Sequence, residues 1–131
     1  MASGEWRVAM RAIRILAGGV EQEAELNDSQ TAARIWDALP FEVAGSRWGD
    51  EIYFSVPVEA GTERGQEIVQ AGDIAYWEPG SAFCIFWGPT PASRGDEIRP
   101  YSPVTVFGRL KGDPRAFAGF SSGTPVRVER A

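Results

Sequence analysis

The sequence predicts a mainly-β domain, a barrel or sandwich of about seven or eight short strands with one early helix. Three observations point there. Apolar and polar residues alternate at period two, as in Ile52-Tyr53-Phe54-Ser55-Val56, which sends successive side chains to opposite faces of a strand. Glycine and proline, 15 and 9 of 131 residues, punctuate the chain at short intervals, where turns are needed. Only the stretch around Ala32 to Leu39 carries helical spacing.

Each element follows in order. Met1 to Ala9 reads as a loose leader, with Met10 as an alternative start. Ile13 and Ile15 share a strand face opposite Arg14. Gly18-Gly19 supplies a tight reversal, because glycine reaches positive φ without penalty. On the return strand Val20, Gln22, Ala24 and Leu26 take one face and Glu21, Glu23 and Glu25 the other. Those glutamates read as a solvated face. Asn27-Asp28-Ser29 offers helix caps. Ala32, Ile35, Trp36 and Leu39 then mark the one main helix, over residues 29–39, which Pro40 stops. Trp36 is assigned to the core.

Phe41 to Asp50 reads as a loop and Glu51 to Val58 as a strand. A polar loop from Ala60 to Gln66 leads to a short strand, Glu67 to Gln70. Gly72-Asp73 turns the chain into Ile74 to Trp77, and Pro79-Gly80 turns it into Ala82 to Trp87. Gly88 to Pro103 is long and irregular, with four prolines and two glycines; such a loop tends to be functional or mobile. Val104 to Leu110 is a strand, Pro114 to Phe120 a short second helical turn, and Val126 to Glu129 the last strand. No repeat divides the chain, so residues 1–131 are expected to form one domain.

Composition excludes several functions. The net charge is -5 and Lys111 is the only lysine. Binding nucleic acid or an anionic membrane needs clustered basic residues, so neither partner is expected. No apolar run is long enough to span a bilayer, and the first residues carry no signal-peptide pattern, so none is expected. Asn27-Asp28-Ser29 fits the glycosylation triplet, but nothing else suggests secretion. The expected location is cytoplasmic. Histidine is absent and Cys84 is the only cysteine. A zinc site and a histidine-activated thiol therefore lack their groups, and Cys84 reads as a small buried hydrophobe. No cofactor motif appears; Gly18-Gly19 is too short for a phosphate loop and precedes a strand. Asp50 and Asp73 read as turn residues. Glu51, adjacent to Asp50, reads as facing solvent, since neighbouring strand residues point apart.

Aromatic residues are the remaining signal. Trp48, Tyr53, Tyr76, Trp77, Phe83, Phe86, Trp87 and Tyr101 fall in the middle of the chain. Most are expected to fill the interior of a small barrel. If Phe54, Phe83 and Ile85 face inward, Tyr53 and Phe86 face outward beside the proline-rich loop. That makes a groove for a small ligand or peptide, with Arg99 or Arg94 as a polar anchor. The candidate ligand-binding set is Glu51, Tyr53, Tyr76, Trp77, Phe86, Arg99 and Tyr101. The same rings suit a homodimer interface equally well.

Arg47-Trp48-Gly49-Asp50-Glu51-Ile52-Tyr53-Phe54, Gly72-Asp73 with Tyr76-Trp77 and Pro79-Gly80, Phe83-Cys84-Ile85-Phe86 with Gly88-Pro89-Thr90-Pro91, and Ser102-Pro103-Val104 stand in this order. In them the chain resembles the small prokaryotic cyclophilin-like proteins of unknown function, from about Met10 to Glu129. The resemblance implies a closed barrel of the cyclophilin type and no activity. True cyclophilins are prolyl isomerases whose strand reads F-H-R-I-I-P. The similar stretch here, Ile52-Tyr53-Phe54-Ser55-Val56-Pro57, puts Phe54 where the catalytic arginine stands. Ser81-Ala82-Phe83-Cys84-Ile85 lacks the groove glutamine, and the groove histidine is missing. The isomerisation barrier of about 18–20 kcal/mol comes from amide resonance. A guanidinium lowers it by hydrogen-bonding the proline nitrogen, and phenylalanine has no such donor. The expectation is a non-catalytic binding domain. A weak isomerase that draws Arg47 or Arg99 from a loop, or a structural or regulatory partner subunit, are the alternatives.

Overall fold

The computed structural model describes residues 11–131; the leader and the alternative start at Met10 lie outside the described residues. Strands β1 (Ala12–Ala17) and β2 (Val20–Leu26) form a hairpin through Gly18 and Gly19, at φ 57° and 80°. Both turn positions need positive φ, which explains the glycine pair. Ser29 caps α1 (Gln30–Ala38), its Oγ accepting from the Ala32 N–H at 3.0 Å. Strands β3 (Phe41–Ala44), β4 (Ser46–Arg47), β5 (Glu51–Ser55), β6 (Asp73–Trp77), β7 (Ala82–Phe86), β8 (Thr105–Leu110) and β9 (Pro125–Arg130) follow. A 3-10 turn spans Glu78–Gly80 and another Pro114–Phe117, the latter within the expected helical turn.

All nine strands join one antiparallel sheet in the order β3-β9-β1-β2-β8-β6-β7-β5-β4. The two end strands, β3 and β4, are separated in sequence by Gly45 alone. The Gly45 N–H donates to the Thr124 carbonyl at 2.9 Å, and its carbonyl accepts from the Gly123 N–H at 2.8 Å. The chain thus steps from one end of the sheet to the other at a single residue, and the sheet curls into a nearly closed barrel. A Cβ on Gly45 would sit 2.8 Å from Phe120 Cζ and 2.9 Å from Val126 Cγ2, so this seam admits no side chain.

Two apolar layers result. Inside the barrel lie Ile13, Ile15, Ile52, Phe54, Ile74, Tyr76, Phe83, Ile85, Phe107, Val126 and Val128, while Ala32 and Ile35 of α1 belong to the same cluster. Phe83 stacks on Phe54 at 4.9 Å and meets Phe107 edge-on at 5.0 Å. A second cluster, outside the barrel wall, holds Val69, Ala75, Ala82, Cys84, Phe86, Ile98 and Val104. It forms where segments 56–72 and 88–104 cover the outer face of β6 and β7. Every residue of β7 is therefore buried.

Three expectations need correction. Residues 41–50 are not all loop: they hold β3 and β4, whose four and two residues are too short to display a periodic pattern. Glu67 to Gln70 is no strand; it is held by isolated bridges from Gln66 to Val104 and Val69 to Ile98, with only Val69 of the stretch buried. β5 ends at Ser55, before Pro57, which has no N–H for a ladder; Val56 and Val58 are buried nevertheless. Trp36 packs against the inner cluster as expected, half-buried, with the guanidiniums of Arg11 and Arg130 over its ring at 5.2 and 4.4 Å. Among the described residues no helix is long and apolar enough to cross a membrane.

Candidate functional site: an aromatic pocket on the barrel wall

On β5, Ile52 and Phe54 point into the barrel, so Glu51 and Tyr53 point out. Pairing sets Tyr53 opposite Cys84 on β7, and Trp77 of β6 opposite Ala82 on the same strand. Glu51, Tyr53, Cys84 and Trp77 thereby share the outer face. Trp48, from the turn before β5, and Pro100, Tyr101 and Val104, from the long loop, complete a pocket of about 170 Å³.

The walls are held in place. Tyr101 meets Trp48 edge-on at 6.1 Å and Trp77 at 5.7 Å. Trp77 Nε1 donates to Ser102 Oγ at 2.7 Å. The loop carrying Tyr101 turns around Thr90 and Ser93. The Thr90 N–H donates to Ser93 Oγ at 2.9 Å, the Arg99 N–H donates to the same hydroxyl at 3.1 Å, and Thr90 Oγ1 donates to the Arg99 carbonyl. A loop that composition marks as functional or mobile is thus tied across its own width. Tyr101 itself is 74% exposed and forms the rim.

Glu51 is the polar feature of the pocket. It is 5% exposed, which corrects the solvent-facing assignment. Strand alternation does turn it outward, but the long loop covers that face. Burial raises its pKa from 4.5 to about 7, against a smaller lowering by a hydrogen bond from the Cys84 thiol. No ion pair among the described residues includes Glu51. Cys84 also lies 3.8 Å from the Ala82 carbonyl. Burial and then the adjacent Glu51 charge hold its thiol well above the ordinary range, so it stays protonated and a poor nucleophile.

Of the seven candidate residues, the structure brings Glu51, Tyr53, Trp77 and Tyr101 together in the pocket. Tyr76 points into the barrel, where its hydroxyl donates to the Val58 carbonyl at 2.6 Å. Phe86 lies in the second cluster beneath the loop. Arg99 turns to Glu97 at 2.7 Å, and Arg94 anchors the same carboxylate through its N–H at 3.0 Å. Arg47 spans the barrel seam, donating to the carbonyls of Gly49, Ala118 and Phe120, with its guanidinium over Trp87. Phe54 is inside the barrel. Among the described residues no guanidinium lines the pocket. Trp48, Cys84, Pro100 and Val104 line the pocket but were not among the candidates. For Cys84 a signal exists in the sequence: it alternates with the inward Phe83 and Ile85, which turns it outward. Among the described residues no group of acidic side chains and cysteine could hold a metal. Asp73 serves a turn, accepting from the Gln70 N–H at 2.8 Å.

No curated protein matches the chain. A hypothetical protein from Archaeoglobus fulgidus, known from its solution structure, is 41% identical, superposes with a TM-score of 0.80, and is matched over 94% of this chain and 96% of its own. The model of the cyclophilin-like family matches residues 11–129. With the nearly closed barrel, its helix and this match over nearly the whole length, the chain belongs to the cyclophilin-like family.

Proposed function

We propose that this chain is a binding protein whose outer-wall pocket receives a small ligand or one side chain of a peptide. The observation that carries the reading is an apolar, aromatic-walled pocket with a single buried acid in it. Ligand sites combine those two features: apolar walls for affinity and few polar groups for orientation. Size narrows the occupant. About 170 Å³ is below the roughly 300–1,000 Å³ of sites for drug-sized ligands, so one ring or one compact head group fits.

The isomerase reading has less support. It needs a cationic donor at the proline nitrogen, and Arg47 and Arg99 are both engaged away from the pocket. A second copy of the chain could instead cover the Tyr53 and Tyr101 rim.

Trp48 and Trp77 both line the pocket, so tryptophan fluorescence and the indole N–H resonances report on it directly. A fragment screen by these signals is expected to yield binders that perturb Trp48 and Trp77 but not Trp36. Tyr101→Ala is expected to weaken them about 5-fold, in keeping with the roughly 1 kcal/mol of an aromatic contact. A screen without binders, alongside a sedimentation mass of two chains that Tyr101→Ala reduces to one, would transfer the aromatic face to a homodimer interface. A protease-coupled proline-peptide assay is expected to show no turnover above background.

A further inference from the structure

The class of ligand follows from what surrounds the pocket, and this inference rests on the binding reading above. The rings of Trp48, Tyr53, Trp77 and Tyr101 enclose one space. Tyr101 stands edge-on to both indoles, at interplanar angles of 62° and 83°. The rings are therefore inclined to one another instead of stacked flat. An aromatic face attracts a cation within about 6 Å of its centroid. Glu51 lines the same space, nearly fully buried and without a cationic partner among the described residues.

A neutral apolar guest would strip the remaining water from that carboxylate and return nothing to it, which is unfavourable. A guest bearing positive charge compensates the carboxylate and the π faces at once. The volume, about 170 Å³, is close to the roughly 150 Å³ of an apolar cavity that accommodates benzene, and a trimethylammonium group is of similar bulk. A bare ammonium is strongly hydrated, whereas methyl groups suit the walls. We propose that the pocket binds a small organic cation, a methylated ammonium head held by the four rings with Glu51 as its counter-ion.

The titratable groups that line the pocket with Glu51 are Cys84 from β7, whose thiol hydrogen-bonds it, Tyr53 on β5 itself and Tyr101 from the long loop; β6 contributes the uncharged Trp77. Only ionised Glu51 is a counter-ion. Because its pKa is raised to about 7, affinity for a permanently charged ligand falls as pH drops below neutrality.

The test is titration with choline and with dimethylbutanol, its uncharged carbon isostere, followed by tryptophan fluorescence on either side of neutrality. Choline is expected to bind at least about 10-fold tighter than the isostere above neutral pH. That preference should shrink below neutral pH. Glu51→Gln should shrink the preference to what the rings alone supply and remove its pH dependence, while the isostere still binds. Tyr101→Ala, at an exposed position that the fold does not need, should weaken choline about 10-fold. Equal affinity for the two probes overturns the cation assignment and leaves a pocket for neutral ligands. Binding of neither also overturns it; the broader binding reading then stands or falls on the fragment screen.

Discussion

Glu51 shows how one residue can be read correctly in direction and wrongly in environment. Alternation along Ile52-Tyr53-Phe54 turns Glu51 away from the barrel interior, and it does lie on that outer side. What the alternation does not contain is the loop some fifty residues later in sequence that covers it. Its carboxyl holds a proton more tightly when folded than when unfolded, because burial raises its pKa from 4.5 to about 7. Ionisation is thus easier in the unfolded chain, and the protein loses stability as pH rises from 4.5 towards 7. At about 1.4 kcal/mol per pKa unit, the loss approaches 3 kcal/mol. Glu51→Gln has no such titration. Urea denaturation is expected to show the variant gaining on the parent by up to about 3 kcal/mol between acid and mildly alkaline pH. A gap that stays constant across that interval would show that the carboxyl titrates normally.

Among the elements, α1 and the loop before β6 depend on each other. Ser29 caps the helix locally, as the sequence predicts. The second capping group comes from far along the chain: the Glu63 carboxylate accepts from the N–H groups of Gln30 and Thr31, at 3.2 and 2.7 Å, and from Thr31 Oγ1 at 2.7 Å. Nothing in a polar stretch such as Thr62-Glu63-Arg64 marks it as a helix cap, because the pairing exists only once the barrel brings residues 30 and 63 together. Those hydrogen bonds, that of Thr31 Oγ1 foremost, lower the Glu63 pKa. The stability it adds is present above the normal carboxylate pKa and disappears as pH falls through the lowered one. Glu63→Ala is expected to destabilise the protein by about 1 kcal/mol at neutral pH, with a smaller effect in strong acid, as thermal melts at the two conditions will show. The same dependence on distant partners separates the strands that the sequence displays from those it hides. β1, β2, β5, β7 and β8 carry apolar faces that announce them. β3 and β4 are short, half-exposed edges that exist because β9 and β5 pair with them.

Across the whole molecule, the closed barrel was readable because its inward faces are continuous: Ile13 and Ile15, Ile52 and Phe54, Phe83 and Ile85, Val126 and Val128 all recur at period two and all lie in one cluster. The second, outer layer was not readable. Val69, Ile98 and Val104 share no periodic pattern that would mark them as one layer, and only the fold shows that they pack with the outer side chains of β6 and β7. That layer also buries Phe86 and makes a pocket where an open groove was expected. Closure itself rests on Gly45. Gly45→Ala brings a methyl within 3 Å of Phe120 and Val126, and overpacking of this kind typically removes about 1–3 kcal/mol. A urea midpoint shift of that size is expected, whereas Gly61→Ala, which would touch nothing within 4 Å, should leave the midpoint nearly unchanged.

The stitch at Gly45 has a further consequence. Gly45 joins the two margins of the ribbon that pair with no further strand, so a circularly permuted chain whose new ends fall at residue 45 would let those margins part. Bare margins recruit more ribbon from whatever copy is nearby, and that permutant should polymerise. One reopened at the Gly18-Gly19 tip, where adjoining ribbons remain laced along their length, should stay discrete.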